Sequence, residues 1–264
     1  MNKARASTGD SATARLSSVG SALRLLKVFS AQEPELGITT LAQRLGLAKS
    51  TVHRLASTLV AEGFLEQNPT SERYRLGLSL FALGTLVRLR MDISREALPY
   101  LHELRDRTGE SVHLAVLERS EIMYLFNLES QQAIGIRSYL GSRKPAFCTS
   151  EGRALLAFSP PAVVSRIVKK GLTPLTQKTT TEPAQLHELL AQVKAKGYAV
   201  DDGESEEGMR GLAAPVWDAS GAVIAAVGLA GPVSRLNKKS LRSLTPWVVA
   251  AAHGISTRLG FRPS

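Results

Sequence analysis
The chain reads as an α+β protein in which an N-terminal winged helix-turn-helix precedes a larger α/β domain. Three observations predict this. Up to Gly77 the apolar residues fall at helical spacing and are closed by one short hairpin pattern. Beyond Gly109, β-branched and aromatic stretches with strand-type alternation are interleaved with helical ones. Positive charge is concentrated early: residues 1–90 carry a net +6, whereas residues 91–264 carry +4 over nearly twice the length.

In order along the chain, Met1–Arg15 is rich in Ser, Ala, Thr and basic residues without periodicity, as expected of a disordered basic arm. Helical spacing of Val19, Ala22, Leu23, Leu26 and Phe29 predicts a helix over Ser18–Ser30. The segment Glu33–Gly37 is a breaker. Short helices are expected at Leu41–Leu45, with Thr40 as its cap, and at Lys49–Glu62, ended by Gly63. A hairpin follows, with arms Phe64–Gln67 and Arg73–Leu76 around an Asn68–Glu72 turn.

Helices are next expected at Leu78–Arg90 and Ile93–Asp106, then strands at Ser111–Leu117 and Ile122–Leu128. Further helical patterns occupy Glu151–Phe158, Ala162–Lys169, Glu182–Lys196 and Lys239–Leu259. Strand patterns occupy Tyr198–Asp201, Leu212–Trp217 and Ala222–Leu229, the last two joined at an Asp218–Gly221 turn. The expected divisions are an arm at 1–15, a DNA-binding domain at 16–77, a linker helix at 78–91 and the α/β domain at 92–264.

Bulk properties narrow the functional classes. With 33 Lys and Arg against 23 Asp and Glu, the chain suits a polyanionic partner. The single Cys148 excludes an intrachain disulfide and a cysteine-cluster zinc site. No secretory signal pattern opens the chain, and the most apolar run, Ala222–Ala230, is far shorter than the roughly 20 residues that cross a bilayer. A reduced, soluble, cytoplasmic protein without a membrane partner is expected.

The most informative stretch is ITTLAQRLGLAKSTVHRLASTLVAEGFLEQNPTSERYRLG, Ile38–Gly77. In its second helix Val52, Leu55, Ala56 and Leu59 repeat at i, i+3, i+4 and i+7 and must face a core. The opposite face presents Lys49, Ser50, His53, Arg54 and Ser57, with Thr51 beside them and no acidic residue before Glu62. A solvated helix mixes charge signs, whereas a helix entering the major groove needs hydrogen-bonding groups and no carboxylate facing phosphates. Arg44 on the preceding helix and Arg73 and Arg75 on the hairpin complete the candidate double-stranded DNA contacts. A helical hairpin with a merely solvated basic face is the bland alternative.

Other chemistry is thinly supported. Cys148 would need a base within reach to act as a nucleophile, and a buried, inert role is the commoner one. The five His residues lack metal-ligand spacing; apart from His53 they read as surface or core. The cluster Asp201–Glu207 does not follow a calcium-loop pattern and reads as an acidic loop. No nucleophile elbow, phosphate-binding loop or dinucleotide fingerprint appears. No catalytic residue, metal or cofactor is therefore assigned. The competing functional classes are a small-molecule-processing enzyme with a basic N-terminal adaptor and a sequence-neutral DNA-binding protein, which leaves the large second domain unexplained.

Over Ser18–Gly260 the sequence resembles the IclR family of transcriptional regulators. GLAKSTVHRLASTLVAEGFL and YRLG match the family's DNA-binding part, and GYAVDDGESEEGMRGLAAPVWDASGAVIAAVGLAGPVSRL its effector-binding signature. The resemblance implies a ligand-responsive operator-binding protein, repressor or activator. A linker helix would join the winged helix to a GAF-like domain, in a homodimer or homotetramer. It also implies an effector site formed by Ala133, Ile136, Lys144, Ser150, Glu151, Asp201, Gly211, Gly228 and Ala230.

A physical reading of FCTSEGRALLAF supports part of that site: Thr149 or Ser150 can cap a helix whose free N–H groups suit a carboxylate, and Gly152 permits close backbone approach. An ordinary capped helix, with Glu151 complementing the dipole, explains the same residues. Members of the family that bind very small oxo-acids have Cys or Ser where Gly211, Gly228 and Ala230 stand here. That departure predicts a larger, less polar effector, an aromatic or longer-chain carboxylate, with Lys144 and less directly Arg137 offsetting Glu151.

Overall fold
Two units emerge in the computed structural model, Met1–Arg90 and Met91–Ser264, with residues 18–89, 92–130, 132 and 140–262 described. The expected arm at 1–15 lies outside the described residues, as does Arg90 at the end of the expected linker helix.

In the first unit α1 (residues 18–26), α2 (Ile38–Leu45) and α3 (Lys49–Ala61) enclose a core of Leu25, Leu36, Leu41, Ala42, Val52, Ala56, Leu65 and Tyr74. Helix α2 begins three residues earlier than its sequence pattern suggests. The carbonyl of Gly37 accepts the Leu41 N–H at 3.1 Å, so Thr40 lies inside the helix and does not cap it. Gly46, at φ 63°, ends α2 in the left-handed conformation, where glycine carries no Cβ penalty.

Past α3 the Phe64 N–H returns to the Leu59 carbonyl at 2.8 Å through Gly63, also at positive φ. The wing follows: β1 (Leu65–Gln67) pairs antiparallel with β2 (Tyr74–Leu76), and the Asn68 side chain accepts the Thr70 and Ser71 amides in the turn. Leu36, read from sequence as part of a breaker, forms a bridge to Tyr74 and extends this small sheet. Helix α4 (Leu78–Leu89) then exposes Leu78, Phe81, Leu83, Leu86 and Val87.

In the second unit the sheet order is β5-β4-β3-β8-β7-β6, with every neighbouring pair antiparallel. The strands are β3 (Ser111–Glu118), β4 (Glu121–Leu128), β5 (Arg143–Pro145), β6 (Ala199–Asp201), β7 (Met209–Trp217) and β8 (Val223–Pro232). Period-two alternation divides their side chains between two layers. Val112, Leu114, Leu212, Ala214 and Val227 pack with α5 (Asp92–Thr108) and α9 (Lys238–Arg258). Ala115, Ala213 and Ala226 face α6 (Ser150–Leu156), α7 (Pro161–Lys170) and α8 (Pro183–Lys196). The α+β class agrees with the sequence reading, and so does the element order apart from the three-residue β5, too short to show an alternation. Among the described residues no helix is long and apolar enough to cross a membrane.

Gly77 is a tight point in the first unit. A Cβ placed there would overlap the carbonyl oxygen of Gly63, a backbone atom that cannot swing aside. Gly77→Ala should therefore lower stability by about 1–3 kcal/mol, the usual range for overpacking, measured by urea unfolding of the full chain.

Candidate functional site
Two groups of residues stand out, one in each unit. In the first, α3 exposes Lys49, Ser50, His53, Arg54 and Ser57, while Thr51 is half-buried. Ala48 at its N-cap offers no side chain to the first-turn amides. Arg44 is exposed but pairs with Glu33 at 2.7 Å, and Arg75 pairs with Glu66 at 2.8 Å and with Glu35 at 3.7 Å. The exposed Arg73 makes no ion pair among the described residues. The hydroxyl and cationic groups expected on one helix face are thus together. One of the two wing arginines is already held by carboxylates.

In the second unit a small cavity of about 20 Å³ is lined by His113, Tyr124, Lys144, Thr149, Ser150, Glu151, Asp201, Ser205, Met209, Arg210, Gly211 and Ala230. Strand register brings several of these together. Asp201, Gly211, Ala230 and Ser111 form one row across β6, β7, β8 and β3, and Ala213, Gly228 and His113 form the next. Helix α6 starts above these rows. Thr149 is its cap, accepting the Gly152 amide at 3.2 Å, so Ser150 is the first helical residue.

The sequence reading placed Lys144, Ser150, Glu151, Asp201, Gly211 and Ala230 here, and all six line the cavity. Gly228 lies beside it under Glu151, and a Cβ there would meet Glu151 Oε1 at 3.0 Å and the Leu212 carbonyl at 2.8 Å. Ala133, Ile136 and Arg137 lie outside the described residues. Gly152 serves a purpose other than ligand approach: a Cβ there would collide with the Ala146 backbone.

The sequence assigns His113 no role beyond surface or core, yet the structure places it in the cavity wall. It is 1% exposed, and its Nδ1 lies 3.2 Å from Glu151 Oε1. The signal for it was its inward position in the alternation of β3, but alternation does not distinguish an apolar neighbour from a polar one.

The room expected from small residues at 211 and 228 is filled by α6. A Cβ on Gly211 would meet Ser150 Oγ at 2.5 Å. Ser150 Oγ donates to Glu151 Oε2 at 3.0 Å, and Glu151 points at His113. Burial by itself would push the Glu151 carboxyl up. The hydrogen bonds from His113 and Ser150, with one from a backbone amide, oppose it and hold the group below the ordinary carboxylate range. Burial pushes the Asp201 carboxyl up, against hydrogen bonds from the Ser205 hydroxyl and the Glu204 and Ser205 amides.

The acidic loop is more ordered in its contacts than its composition suggests. Arg153, 2% exposed, donates to both carboxylate oxygens of Glu204 at 2.5 Å, to the carbonyls of Phe147 and Val200, and to Thr180 Oγ1. Lys144 Nζ reaches Glu206 at 3.1 Å, and Arg210 pairs with Asp202. Among the described residues there is no group of His, Cys, Asp and Glu able to hold a metal ion.

A helix-turn-helix unit with a basic exposed helix, carried on one chain with a domain enclosing a small polar pocket, defines a DNA-binding transcriptional regulator. The chain matches the family model for the IclR helix-turn-helix domain at residues 18–69 and that for the bacterial transcriptional regulator IclR C-terminal at 86–257. It is 35% identical to the HTH-type transcriptional regulator XynR of Escherichia coli over 93% of this chain and 98% of that protein. A putative IclR regulator structure from a Silicibacter species aligns at TM-score 0.81 with 31% identity, covering 94% of this chain and 98% of that one. An IclR homologue from Microbacterium hydrocarbonoxydans complexed with 4-hydroxybenzoate aligns at TM-score 0.81 with 29% identity, covering 92% and 98%. The chain belongs to the IclR family of bacterial transcriptional regulators, which sets aside the enzyme reading.

Two outcomes test the site's construction. Glu204→Ala strands a buried guanidinium and should cost about 3–5 kcal/mol in chemical denaturation. Burial raises the Cys148 thiol to about 12, so iodoacetamide at pH 8 should leave Cys148 unmodified in native protein and alkylate it once urea unfolds the chain.

Proposed function
We propose that the chain is a cytoplasmic, one-component regulator whose first unit binds operator DNA and whose second unit takes up a small organic acid that alters operator affinity. The observation that carries this reading is the exposed face of α3, where Lys49, Ser50, His53, Arg54 and Ser57 stand together without a carboxylate. Its uncapped first-turn amides suit a phosphate oxygen. Exposed ion pairs such as Arg44–Glu33 and Arg75–Glu66 are worth little, about 0–1 kcal/mol. These arginines can therefore exchange a carboxylate for a DNA phosphate at small cost.

The acid enters the reading through Lys144 and through the relative with 4-hydroxybenzoate bound. Lys144 lines the cavity and is balanced among the described residues by the half-exposed Glu206, which an incoming carboxylate can replace. At about 20 Å³ the cavity holds roughly one water. An aromatic or longer-chain acid therefore requires the loop carrying Ser205 and Glu206 to give way, which couples occupancy to structure. Such coupling changes operator affinity only if the acid binds the two operator-affinity states unequally. In this reading α4 is the linker helix, and its exposed Leu78, Phe81, Leu86 and Val87 suit a second copy of the chain, the symmetric arrangement that reads paired half-sites.

The test is DNA selected from a random pool with the full chain, followed by gel-shift titration at several salt concentrations. Binding should survive excess nonspecific competitor and fall linearly with the logarithm of salt concentration. Arg54→Ala should weaken binding by about 1–3 kcal/mol at fixed salt if it reads a base edge. Unchanged affinity in that variant places the wrong helix in the groove.

A further inference from the structure
We propose that His113 is a specificity-determining residue of the second unit's pocket, its Nε2 accepting a hydrogen bond from a hydroxyl group on a hydroxy-substituted carboxylic acid. This rests on the reading that the pocket takes an organic acid and names the kind. The imidazole sits on β3, one of the two central strands, is 1% exposed, and lines the cavity. The Tyr124 ring, 4.9 Å away between centroids, braces one side. Its Nδ1 is committed to Glu151 Oε1 at 3.2 Å, and Glu151 Oε2 is held by Ser150 Oγ at 3.0 Å.

A carboxylate in its ionised form only accepts hydrogen bonds, so Nδ1 carries the proton. In the neutral ring Nε2 then offers a lone pair. That atom is buried and has no hydrogen-bond partner among the described residues. A buried polar atom without a partner is costly, and functional sites are where such atoms persist.

The surrounding groups do not compete for it. Lys144 is on Glu206, Arg210 on Asp202 and the Leu236 carbonyl, and Asp201 on Ser205 and the Glu204 amide. The cavity has room for about one water-sized group, the size of a hydroxyl. Gly228 is directly paired with His113 across β3 and β8, and its missing side chain leaves the space that Glu151 occupies. The dyad is thus built into the sheet. A ligand hydroxyl donates to Nε2 while the ligand carboxylate takes Glu206's place on Lys144.

The experiment is calorimetric titration of the full chain with matched pairs of acids: 4-hydroxybenzoate and benzoate, 4-hydroxybutyrate and butyrate, lactate and propionate. Wild type should bind at least one hydroxy acid about ten-fold or more tightly than its deoxy partner, the scale of one neutral hydrogen bond. His113→Phe should bring that ratio close to one, whereas Lys144→Gln should weaken both members alike. A ratio unchanged in His113→Phe overturns the assignment, as does a wild type that binds the deoxy acids as well as the hydroxy acids; the organic-acid reading survives both results. If no acid binds and none alters operator affinity, that broader reading falls too. Should His113→Phe fail to fold, imidazole ¹⁵N shifts in the wild type decide. The Nε2 resonance must move with the hydroxy acid and stay with its deoxy partner, and equal movement overturns the proposal.

Discussion
A guanidinium buried to 2% exposure is tolerable only when every N–H has somewhere to go, and Arg153 meets that condition. Its five donors are taken by the carbonyls of Phe147 and Val200, the hydroxyl of Thr180 and both oxygens of Glu204. The contacts run from α6 to the segment following β6, so the pair fixes that loop against the helix. Glu204 in turn receives the Thr180 amide and hydroxyl, and its carbonyl receives the Thr179 hydroxyl. Asp201 and Ser205 flank Glu204 on the same loop and reach the cavity as a consequence. The lining of the pocket therefore depends on an ion pair that lies outside it.

The same segment joins strong and weak attachments. Glu204 is bound by a pair almost wholly shielded from water, whereas Glu206 meets Lys144 where both retain contact with solvent. Burial strengthens the electrostatic attraction in the first and leaves the second open to exchange. The loop is thus anchored at its start and releasable two residues later. A ligand of the kind proposed, competing for Lys144, would act on the weak attachment and leave the strong one in place.

Much of the fold was legible because periodicity is a backbone property. Val52, Leu55, Ala56 and Leu59 gave α3 its inward face, and the Asp218–Gly221 turn announced the β7–β8 hairpin. Boundaries set by backbone hydrogen bonds were not legible: α2 starts at Ile38 because the Gly37 carbonyl accepts from Leu41, and Leu36 bridges to Tyr74 through contacts no local pattern encodes. In the pocket, Lys144, Ser150, Glu151, Asp201, Gly211 and Ala230 were named through the family resemblance, while His113 was not. Its role depends on Glu151, 38 positions away, and sequence spacing carries no information about that meeting.

The small residues at Gly211, Gly228 and Ala230 show how composition misleads when positions are counted singly. Three small residues on the sheet suggest lost polarity and gained volume. Space vacated on one wall of a close-packed interior is taken by the other wall. Ser150 stands over Gly211 and Glu151 over Gly228, and Glu151 turns to His113 on the neighbouring strand. In this chain the polar groups stand on the helix and β3 rather than at these sheet positions, and α6 occupies the space the small residues leave. Small residues and dyad are then one packing solution: restoring a side chain at 228 would press on Glu151, and removing Glu151 would leave His113 Nδ1 without its acceptor. Which wall carries the polar atoms of this cavity is a property of paired positions that the floor residues alone do not reveal.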